Sequence, residues 1–246
     1  IMLISLSSEN CDSLTDQLEQ TLIPIFAESE GAEEVKKIVE GMIDALRQNR
    51  QSAKIGSKRL KDLSMALRTQ SRMEYEATEG VVLNDVVKEA MVLVGGRTKM
   101  HQVEESLGEL PAICCYRSHI GQVVTNLLAN AADSLTEKEQ VSRDNVGERF
   151  RGEISVTSET LDRDGRAGVL VAISDNGDGV PESIREKIFE QFFTTKPAGE
   201  GTGLGLAMCV DIVRDHGGVL SVTDDETLGG ARFEMWLPVE VSNSTG

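Results

Sequence analysis

Two asparagines on one predicted helix face are the first residues that could do chemistry. Asn126 and Asn130 lie four apart in the segment TNLLANAADS, and residues at that spacing share a helix face. Their carbonyl oxygens suit a hard cation such as Mg²⁺, which takes few protein ligands when phosphate oxygens supply the others. The pair predicts a magnesium-phosphate site, although asparagine pairs on helices are most often simply solvated.

A carboxylate follows an apolar strand in the segment SDNGDGV. Asp175 ends that strand, and Gly177 and Gly179 come directly after it. The carboxylate could accept a hydrogen bond from an amino group, and glycines let the backbone approach a ligand closely. An ordinary tight turn would explain the same two glycines.

A run of alternating glycines precedes a helix that should begin near Leu204. The unpaired N–H groups and the dipole at a helix start favour an anion. Glycines are costly to order, so their repetition predicts a flexible lid over a polyphosphate, of neither the Walker nor the dinucleotide type. The run is Gly199, Gly201, Gly203 and Gly205.

These segments require a mixed α/β region to position them. VVLNDVVKEAMVLV predicts a short strand, an Asn84 helix cap and a helix, and RSHIGQVVTNLLANAADSL predicts a strongly apolar helix. LPAICCY, EISVTSETL, VLVAISD, GVLSVTDD and ARFEMWLPV predict strands, the last two joined as a hairpin through ETLGG. One of Cys114 and Cys115 should be a core residue, and residues 136–152 should form a loop.

The N-terminal third has the pattern of a helical hairpin. Apolar residues recur at threes and fours as a coiled-coil seam, and a first helix over residues 7–28 offers a matching stripe. Such a seam favours dimerisation into a four-helix bundle over a hairpin folded onto its own domain. The seam residues are Val35, Val39, Met42, Leu46, Ala53, Leu60, Leu63 and Leu67.

Composition excludes some partners. A net charge of −16 argues against a nucleic-acid partner, although a basic stretch from Arg47 to Arg72 could dock an acidic protein.

The four cysteines form no CxxC pair, which predicts a reducing compartment and no metal site built from cysteines. The apolar start is too short to span a bilayer. We therefore expect a cytoplasmic fragment without membrane contact, whose parent protein could still be membrane-anchored.

The order of NLLANA, DNGDG, IFEQFFTTK, GTGLGL and GGARFEMWLP resembles the ATP-binding domain of sensor histidine kinases. This is the Bergerat-type group that includes gyrase B, MutL and the heat-shock chaperones, and the FFTTK form is similar to the nitrogen-regulator subgroup. The resemblance implies an α+β chain: a helical hairpin at 1–78, an α/β sandwich that binds ATP at 79–240 and a tail at 241–246.

The resemblance also implies residue roles. Asp175 would bind the adenine amino group, Asn130 would hold Mg²⁺ with help from Asn126, and Phe189, Phe192 and Phe193 would pack at the base of the lid. Asn126 stands where ATP-hydrolysing relatives carry a general-base Glu, so phosphate transfer is favoured over hydrolysis. The implied nucleotide site comprises Asn126, Asn130, Asp133, Asp175, Gly177, Gly179, Val180, Thr194, Thr195, Lys196, Gly201, Thr202, Gly203, Leu204 and Gly205.

The same kinases carry an acceptor box, His-Glu-x-x-Asn-Pro-Leu, on the first hairpin helix. Aligned on Leu14, this box places Ser8 on the histidine, Glu9 on the glutamate and Asp12 on the asparagine. A serine hydroxyl needs a base to lose its proton, whereas a neutral imidazole can attack phosphate directly. We therefore expect a kinase core with Mg-ATP and a homodimer bundle but without its own acceptor.

Three functions stay open from the sequence. The chain could phosphorylate a histidine of a partner kinase, or it could be a nucleotide-gated scaffold that docks a response-regulator receiver. It could also be a receiver phosphatase that uses Asp12 to orient water. A chaperone or topoisomerase subunit is disfavoured by Asn126 and by the upstream hairpin.

Overall fold

A computed structural model describes residues 37–50, 52–53, 56, 77–144, 150–196 and 201–239. The chain divides into two compact units, residues 1–68 with 194–202 and residues 69–193 with 203–246. The predicted boundary between residues 78 and 79 stays a prediction. Ser8, Glu9 and Asp12, the first hairpin helix and the tail at 241–246 lie outside the described residues.

Residues 37–50 are helical, as the hairpin prediction requires. Ile38, Met42 and Leu46 recur every fourth residue and are 54–64% exposed, whereas Ile43 is buried. Of these, Met42 and Leu46 belong to the predicted seam. An exposed apolar stripe at this spacing is the pattern of a helix that packs against another helix.

The larger unit contains a five-stranded mixed sheet in the order β2-β4-β5-β7-β6. Only β2 and β4 are parallel; the other neighbours are antiparallel. A separate antiparallel pair joins β1 and β3. The strands are β1 (Thr78–Val81), β2 (Gln102–Leu107), β3 (Ile113–Cys115), β4 (Glu153–Thr160), β5 (Gly168–Asp175), β6 (Val219–Asp224) and β7 (Ala231–Pro238).

In the described part of this unit, three α-helices cover the sheet: α1 (Leu83–Thr98), α2 (Arg117–Asp144) and α3 (Gly205–Asp215). Helix α2 contacts β4, β5 and both other helices, and α3 contacts β6 and β7. The central strand β5 is buried along its whole length, because its run of apolar residues is typical of a strand inside a packed core. The predicted α/β sandwich is confirmed.

Two local predictions from the sequence are wrong. Asn84 does not cap α1: Val82 occupies the cap position, and Asn84 lies inside the helix. Residues 136–144 are not a loop, because α2 continues through Asp144. The absence of apolar periodicity there reflects the end of a helix that leaves the core, where no apolar face is needed.

The strands predicted for LPAICCY, EISVTSETL, VLVAISD, GVLSVTDD and ARFEMWLPV are confirmed. The short strand predicted at the start of VVLNDVVKEAMVLV lies earlier, at Thr78–Val81, and β2 lies outside the segments predicted as strands. Cys115 is the buried member of the adjacent cysteine pair and Cys114 is half-buried. Strands β6 and β7 form the expected hairpin, with Val222 opposite Phe233. Among the described residues, no helix is both long and apolar enough to cross a membrane.

Asn84 joins two parts of the chain that are distant in sequence. Its amide nitrogen donates to the Gly108 carbonyl at 2.8 Å, and its amide oxygen accepts from the Ser158 hydroxyl at 2.8 Å. Ser158 is only 5% exposed, so its hydroxyl cannot easily turn to water. Asn84 therefore ties α1 to the end of β2 and to β4.

Replacing Asn84 by alanine is expected to lower the free energy of unfolding by about 1–3 kcal/mol, because it leaves buried polar groups without partners. Urea denaturation of the full chain measures this loss. Lys88→Ala, on the exposed side of the same helix, is the control and should change stability by less than about 0.5 kcal/mol. Equal stability of the two variants would contradict a structural role for Asn84.

Candidate functional site

Asp175 lies at the end of β5 and is 3% exposed. The Gly177 N–H donates to its Oδ1 at 2.8 Å, and the Ala231 N–H also binds the carboxylate. A carboxylate can accept about four hydrogen bonds. The two backbone donors therefore leave acceptor capacity for an amino group of a ligand.

Burial and backbone donors act on Asp175 in opposite directions. Desolvation raises the pKa of this carboxyl group above its usual value, while the Gly177 and Ala231 N–H groups and the charge of Lys138 oppose that rise. A carboxylate that is both buried and held by directional donors is pre-organised to accept a further hydrogen bond.

Glycines allow the chain to close tightly around Asp175. A side chain at Gly177 would collide with Ser134 Oγ on α2 and lie 2.7 Å from Asp175 Oδ1. A side chain at Gly230, in the β6–β7 hairpin, would collide with the Asp175 carbonyl. Neither glycine has a positive φ, so close packing is what favours glycine at both positions.

The end of the same loop is fixed by Arg185. Its Nε donates to the Val180 carbonyl at 3.0 Å, and its guanidinium pairs with Asp224 at 2.6 Å. Gly179 precedes Val180, and Val180 packs against the core. The segment from Asp175 to Val180 is thus held at both ends.

Asn126 lies on α2 and faces the start of α3. Its Nδ2 donates to Cys209 Sγ at 3.6 Å. Burial raises the pKa of Cys209 to about 12, against the opposing hydrogen bond from Asn126, so the sulfur is a neutral thiol at pH 7. Because Nδ2 of Asn126 is directed at the Cys209 sulfur, the amide oxygen Oδ1 points the other way. This oxygen is the atom of Asn126 that could bind a cation.

Asn130 and Asp133 lie further along α2, both half-buried. Asp133 forms an ion pair with Arg97 of α1 at 3.5 Å. This pair joins the two helices beside the asparagines. The spacing of Asn126 and Asn130 on a continuous helix places both amides on one face, as the sequence predicted.

The N-terminus of α3 provides uncapped backbone donors. Leu204 is the cap residue, no side chain caps the helix, and Gly205 is its first residue. Gly203 has φ +64°, and a side chain there would lie 2.6 Å from the Phe193 backbone N. Its carbonyl accepts from the Phe192 N–H at 2.9 Å, so only glycine fits between Phe192 and α3.

Residues 194–202 belong to the unit that includes residues 1–68. Within this segment, the Lys196 N–H donates to Thr194 Oγ1 at 3.1 Å, and a side chain at Gly201 would collide with Thr194. Residues 197–200, including Gly199, lie outside the described residues. The predicted phosphate contacts of Thr194, Thr195, Lys196, Gly201 and Thr202 stay predictions.

The predicted aromatic base of the lid is only partly present. Phe189 packs against the core and Phe193 is half-buried. Phe192, by contrast, is 69% exposed with φ +68°. The expectation that Phe192 packs there is wrong, because the backbone that closes onto Gly203 turns its side chain outward.

Residues 115–241, just over half of the chain, match the family described as histidine kinase-, DNA gyrase B-, and HSP90-like ATPase. The chain belongs to this family. Its members bind ATP, and the buried Asp175, the glycine-lined loop and the uncapped start of α3 fit a nucleotide with an amino group and an anionic tail. Residues 115–241 are therefore an ATP-binding domain of this family.

Named relatives agree with this assignment. Sensor histidine kinase ZraS of Escherichia coli O157:H7 is 33% identical over 169 residues, which cover 68% of this chain and 32% of ZraS. The histidine-protein kinase AtoS of E. coli K12 is 33% identical over 172 residues, covering 69% of this chain and 25% of AtoS. The chain thus spans about a third or less of these two kinases.

A solved structure gives the same result. The catalytic domain of histidine kinase ThkA, in a nucleotide-free form, is 30% identical with a TM-score of 0.52. That match covers 68% of this chain and 99% of the ThkA domain. The fold, family and ATP-binding character of this histidine kinase core are thereby established.

Sequence reasoning missed several residues that shape this site. Lys138 binds the Asn176 carbonyl at 2.8 Å, but it lies in the stretch that was interpreted as a loop. The sequence places Gly230 only in the ETLGG hairpin turn and in the GGARFEMWLP motif, and it assigns Cys209 no role. The two consecutive glycines Gly229 and Gly230 were the local sequence signal for a close backbone contact at this hairpin, because a turn rarely needs both.

Proposed function

We propose that the chain binds Mg-ATP and transfers the γ-phosphoryl group to a histidine on a partner chain. Asp175 accepts the adenine amino group, and the N-terminal amides of α3 face the phosphates. Asn130 and Asn126 Oδ1 would hold Mg²⁺, and the bound ion would supply positive charge beside the phosphates. The buried Asp175 carboxylate held by two backbone donors is the observation that carries this proposal.

The amide of Asn126 supports transfer over hydrolysis. An asparagine cannot remove a proton from water as a carboxylate does. Its Nδ2 is engaged by Cys209 Sγ at 3.6 Å, and this contact further restrains the side chain. We therefore expect slow ATP turnover in the absence of an acceptor.

The acceptor is proposed to lie on another chain because residues 1–78 contain no histidine. Of the three histidines, His216 is buried, with Nδ1 donating to the Ile212 carbonyl at 2.6 Å and Nε2 accepting from the Tyr116 N–H at 3.0 Å. Both ring nitrogens are thus occupied within the fold. His101 and His119 lie at β2 and α2 of the ATP-binding core, away from any hairpin position in sequence.

The partners follow from this assignment. The helical hairpin is proposed to pair with a second copy or with a partner histidine kinase, through the stripe of Ile38, Met42 and Leu46. A response-regulator receiver would then take the phosphoryl group from the partner's histidine. Ser8 at the acceptor position also supports a second candidate function, a nucleotide-gated scaffold without transfer.

The test is incubation of the full chain with γ-³²P-ATP and Mg²⁺, alone and with histidine kinases from the same genome whose own ATP sites are inactivated. We expect acid-labile label on a partner and less than one phosphate released per chain during the assay. Asp175→Asn, which should bind ATP about a hundredfold more weakly, is the matched control and should give much less label. The label chemistry distinguishes phosphohistidine from acid-stable phosphoserine.

Other outcomes decide between the candidates. Tight ATP binding without label on any partner would favour the scaffold. Steady multiple turnover of ATP by the chain alone would contradict the role of Asn126. Failure of the full chain to bind ATP by calorimetry would overturn the proposal.

A further inference from the structure

Lys138 reaches from α2 to the loop that follows Asp175. Its Nζ donates to the carbonyl oxygens of Asn176 at 2.8 Å and Gly177 at 2.9 Å. The side chain is 30% exposed. Two short bonds from one ammonium group to consecutive carbonyls fix the local backbone more firmly than a surface contact does.

Two further contacts shape the surroundings of this ammonium group. Nζ lies 5.0 Å from the centre of the Phe150 ring, an arrangement in which the ring attracts the cation and shields it from water. Nζ is also 3.4 Å from Asp178 Oδ1, but Asp178 is 82% exposed, so solvent weakens that ion pair. The carbonyl bonds are therefore the dominant interactions of Lys138.

The first of these bonds connects Lys138 to Asp175 through a single peptide group. The carbonyl of Asn176 and the N–H of Gly177 belong to the same planar unit. Lys138 binds the oxygen of that unit at 2.8 Å, and Asp175 Oδ1 binds its N–H at 2.8 Å. The peptide group is thus held between a cation and a carboxylate, each of which polarises it in the direction that strengthens the other bond.

The rest of the loop gives this connection a fixed frame. The Asn176 side chain accepts from the Glu153 N–H at 2.8 Å and donates to the Arg151 carbonyl at 2.9 Å. Asn176 therefore cannot easily rotate to compensate for a lost bond. Without Lys138, the carbonyl groups of Asn176 and Gly177 would lose their hydrogen bonds to α2. The peptide group between these two residues would then be free to tilt.

We propose that Lys138 is a positioning residue for nucleotide recognition, acting on the Asp175 carboxylate through the peptide group between Asn176 and Gly177. This inference rests on the proposed role of Asp175 as the acceptor for the adenine amino group. Lys138 does not contact the nucleotide; it sets the orientation and charge state of the group that does. It should therefore affect base discrimination and not only overall affinity.

Electrostatics support the same direction. Burial raises the pKa of Asp175, the Lys138 charge opposes this rise, and the Asp178 charge adds to it. These are the two charged side chains acting on Asp175 in the described part of the chain. Loss of the Lys138 charge should raise the pKa of Asp175 further, so that binding is lost at a higher pH.

The experiment compares the full chain with Lys138→Met, Lys138→Arg and Lys99→Met. Methionine keeps an unbranched apolar side chain of nearly the same length without the charge or the donors. Arginine keeps the charge and the donors, and Lys99 is an exposed lysine after α1. Calorimetry gives the Kd for ATP and for GTP between pH 5 and 8. A ¹³C carboxyl titration of Asp175 in the nucleotide-free protein gives its pKa, and Lys138→Gln replaces Lys138→Met if the latter does not fold.

In Lys138→Met we expect ATP binding to weaken about tenfold, the preference for ATP over GTP to fall, and both the pH midpoint and the Asp175 titration to move upward. Lys138→Arg should stay within about threefold of wild type, and Lys99→Met should be unchanged. Equal losses for ATP and GTP with an unmoved Asp175 titration would show a purely structural role and overturn the inference. If wild type bound no ATP, the proposed function would fail, whereas the carboxyl titration would still decide the connection between Lys138 and Asp175.

Discussion

Replacing Asp175 by asparagine is expected to weaken ATP binding at pH 7 by about a hundredfold, the loss that corresponds to roughly 3 kcal/mol for a charge-assisted hydrogen bond replaced by an opposed donor. Asparagine has the same size, but it substitutes an NH₂ group for one carboxylate oxygen. That group must then face either a backbone N–H or the amino group of the ligand. The steric fit is retained and only the acceptor chemistry changes.

The same substitution should change stability by an amount that depends on pH. The pKa of Asp175 is raised by burial in the folded chain. A carboxyl group with a raised folded pKa binds its proton more tightly when folded, so it adds stability as the pH falls and loses that contribution as the pH rises through the folded pKa. Wild type should therefore gain stability relative to Asp175→Asn between pH 7 and pH 4.

Calorimetry with ATP and urea denaturation at several pH values measure both effects. Asp178→Asn is the matched control, because Asp178 lies in the same loop but is largely exposed; its ATP affinity should stay within about threefold of wild type. An Asp175→Asn protein that bound ATP like the control would remove Asp175 from the site. A stability difference independent of pH would contradict the raised pKa.

The local sequence was sufficient to predict those parts of the site whose residues are close together along the chain. Asp175 and Gly177 are two positions apart along the chain, and Asn126 and Asn130 lie on one helix, so their spacing predicted that they lie close together. Most strands were predictable because apolar residues that alternate, as in β4, or follow one another, as in β5, directly reflect burial. These features need no knowledge of distant contacts.

Long-range contacts account for most of what the sequence did not reveal. Asn84 has the residue type of a helix cap, but its partners Gly108 and Ser158 lie 24 and 74 positions away, and they determine its place. Lys138 contacts a loop 38 positions further along the chain. Polar side chains of this kind have no periodicity, so nothing in the local pattern distinguishes them from solvated residues.

Gly230 marks the closest approach of the β6–β7 hairpin to the base of the nucleotide site. A side chain on it would collide with the Asp175 carbonyl, and it would lie 2.6 Å from the Gly177 backbone N and 2.8 Å from Asp175 Oδ1. All three atoms belong to the segment that holds the acceptor carboxylate. A methyl group here can be accommodated only by moving that segment away from the hairpin.

Gly230→Ala is therefore expected to lower the free energy of unfolding by about 3 kcal/mol, at the upper end of overpacking costs, and Tm by roughly 6–12 °C. The displaced carboxylate should also weaken ATP binding by about tenfold or more, since hydrogen bonds depend steeply on distance and angle. Thermal unfolding followed by circular dichroism, with and without ATP, measures the two losses together.

A substitution at the neighbouring Gly229 serves as the control, because it introduces backbone strain without a steric collision. It has φ +80° and no atom within 4 Å of an added side chain, so Gly229→Ala has only the cost of a left-handed alanine, about 1–2 kcal/mol, and should keep its ATP affinity. If both variants lost stability equally and both still bound ATP, the hairpin would have no part in positioning Asp175. A larger loss confined to Gly230→Ala, together with weaker ATP binding, requires that the hairpin and the Asp175 loop act as one packed unit.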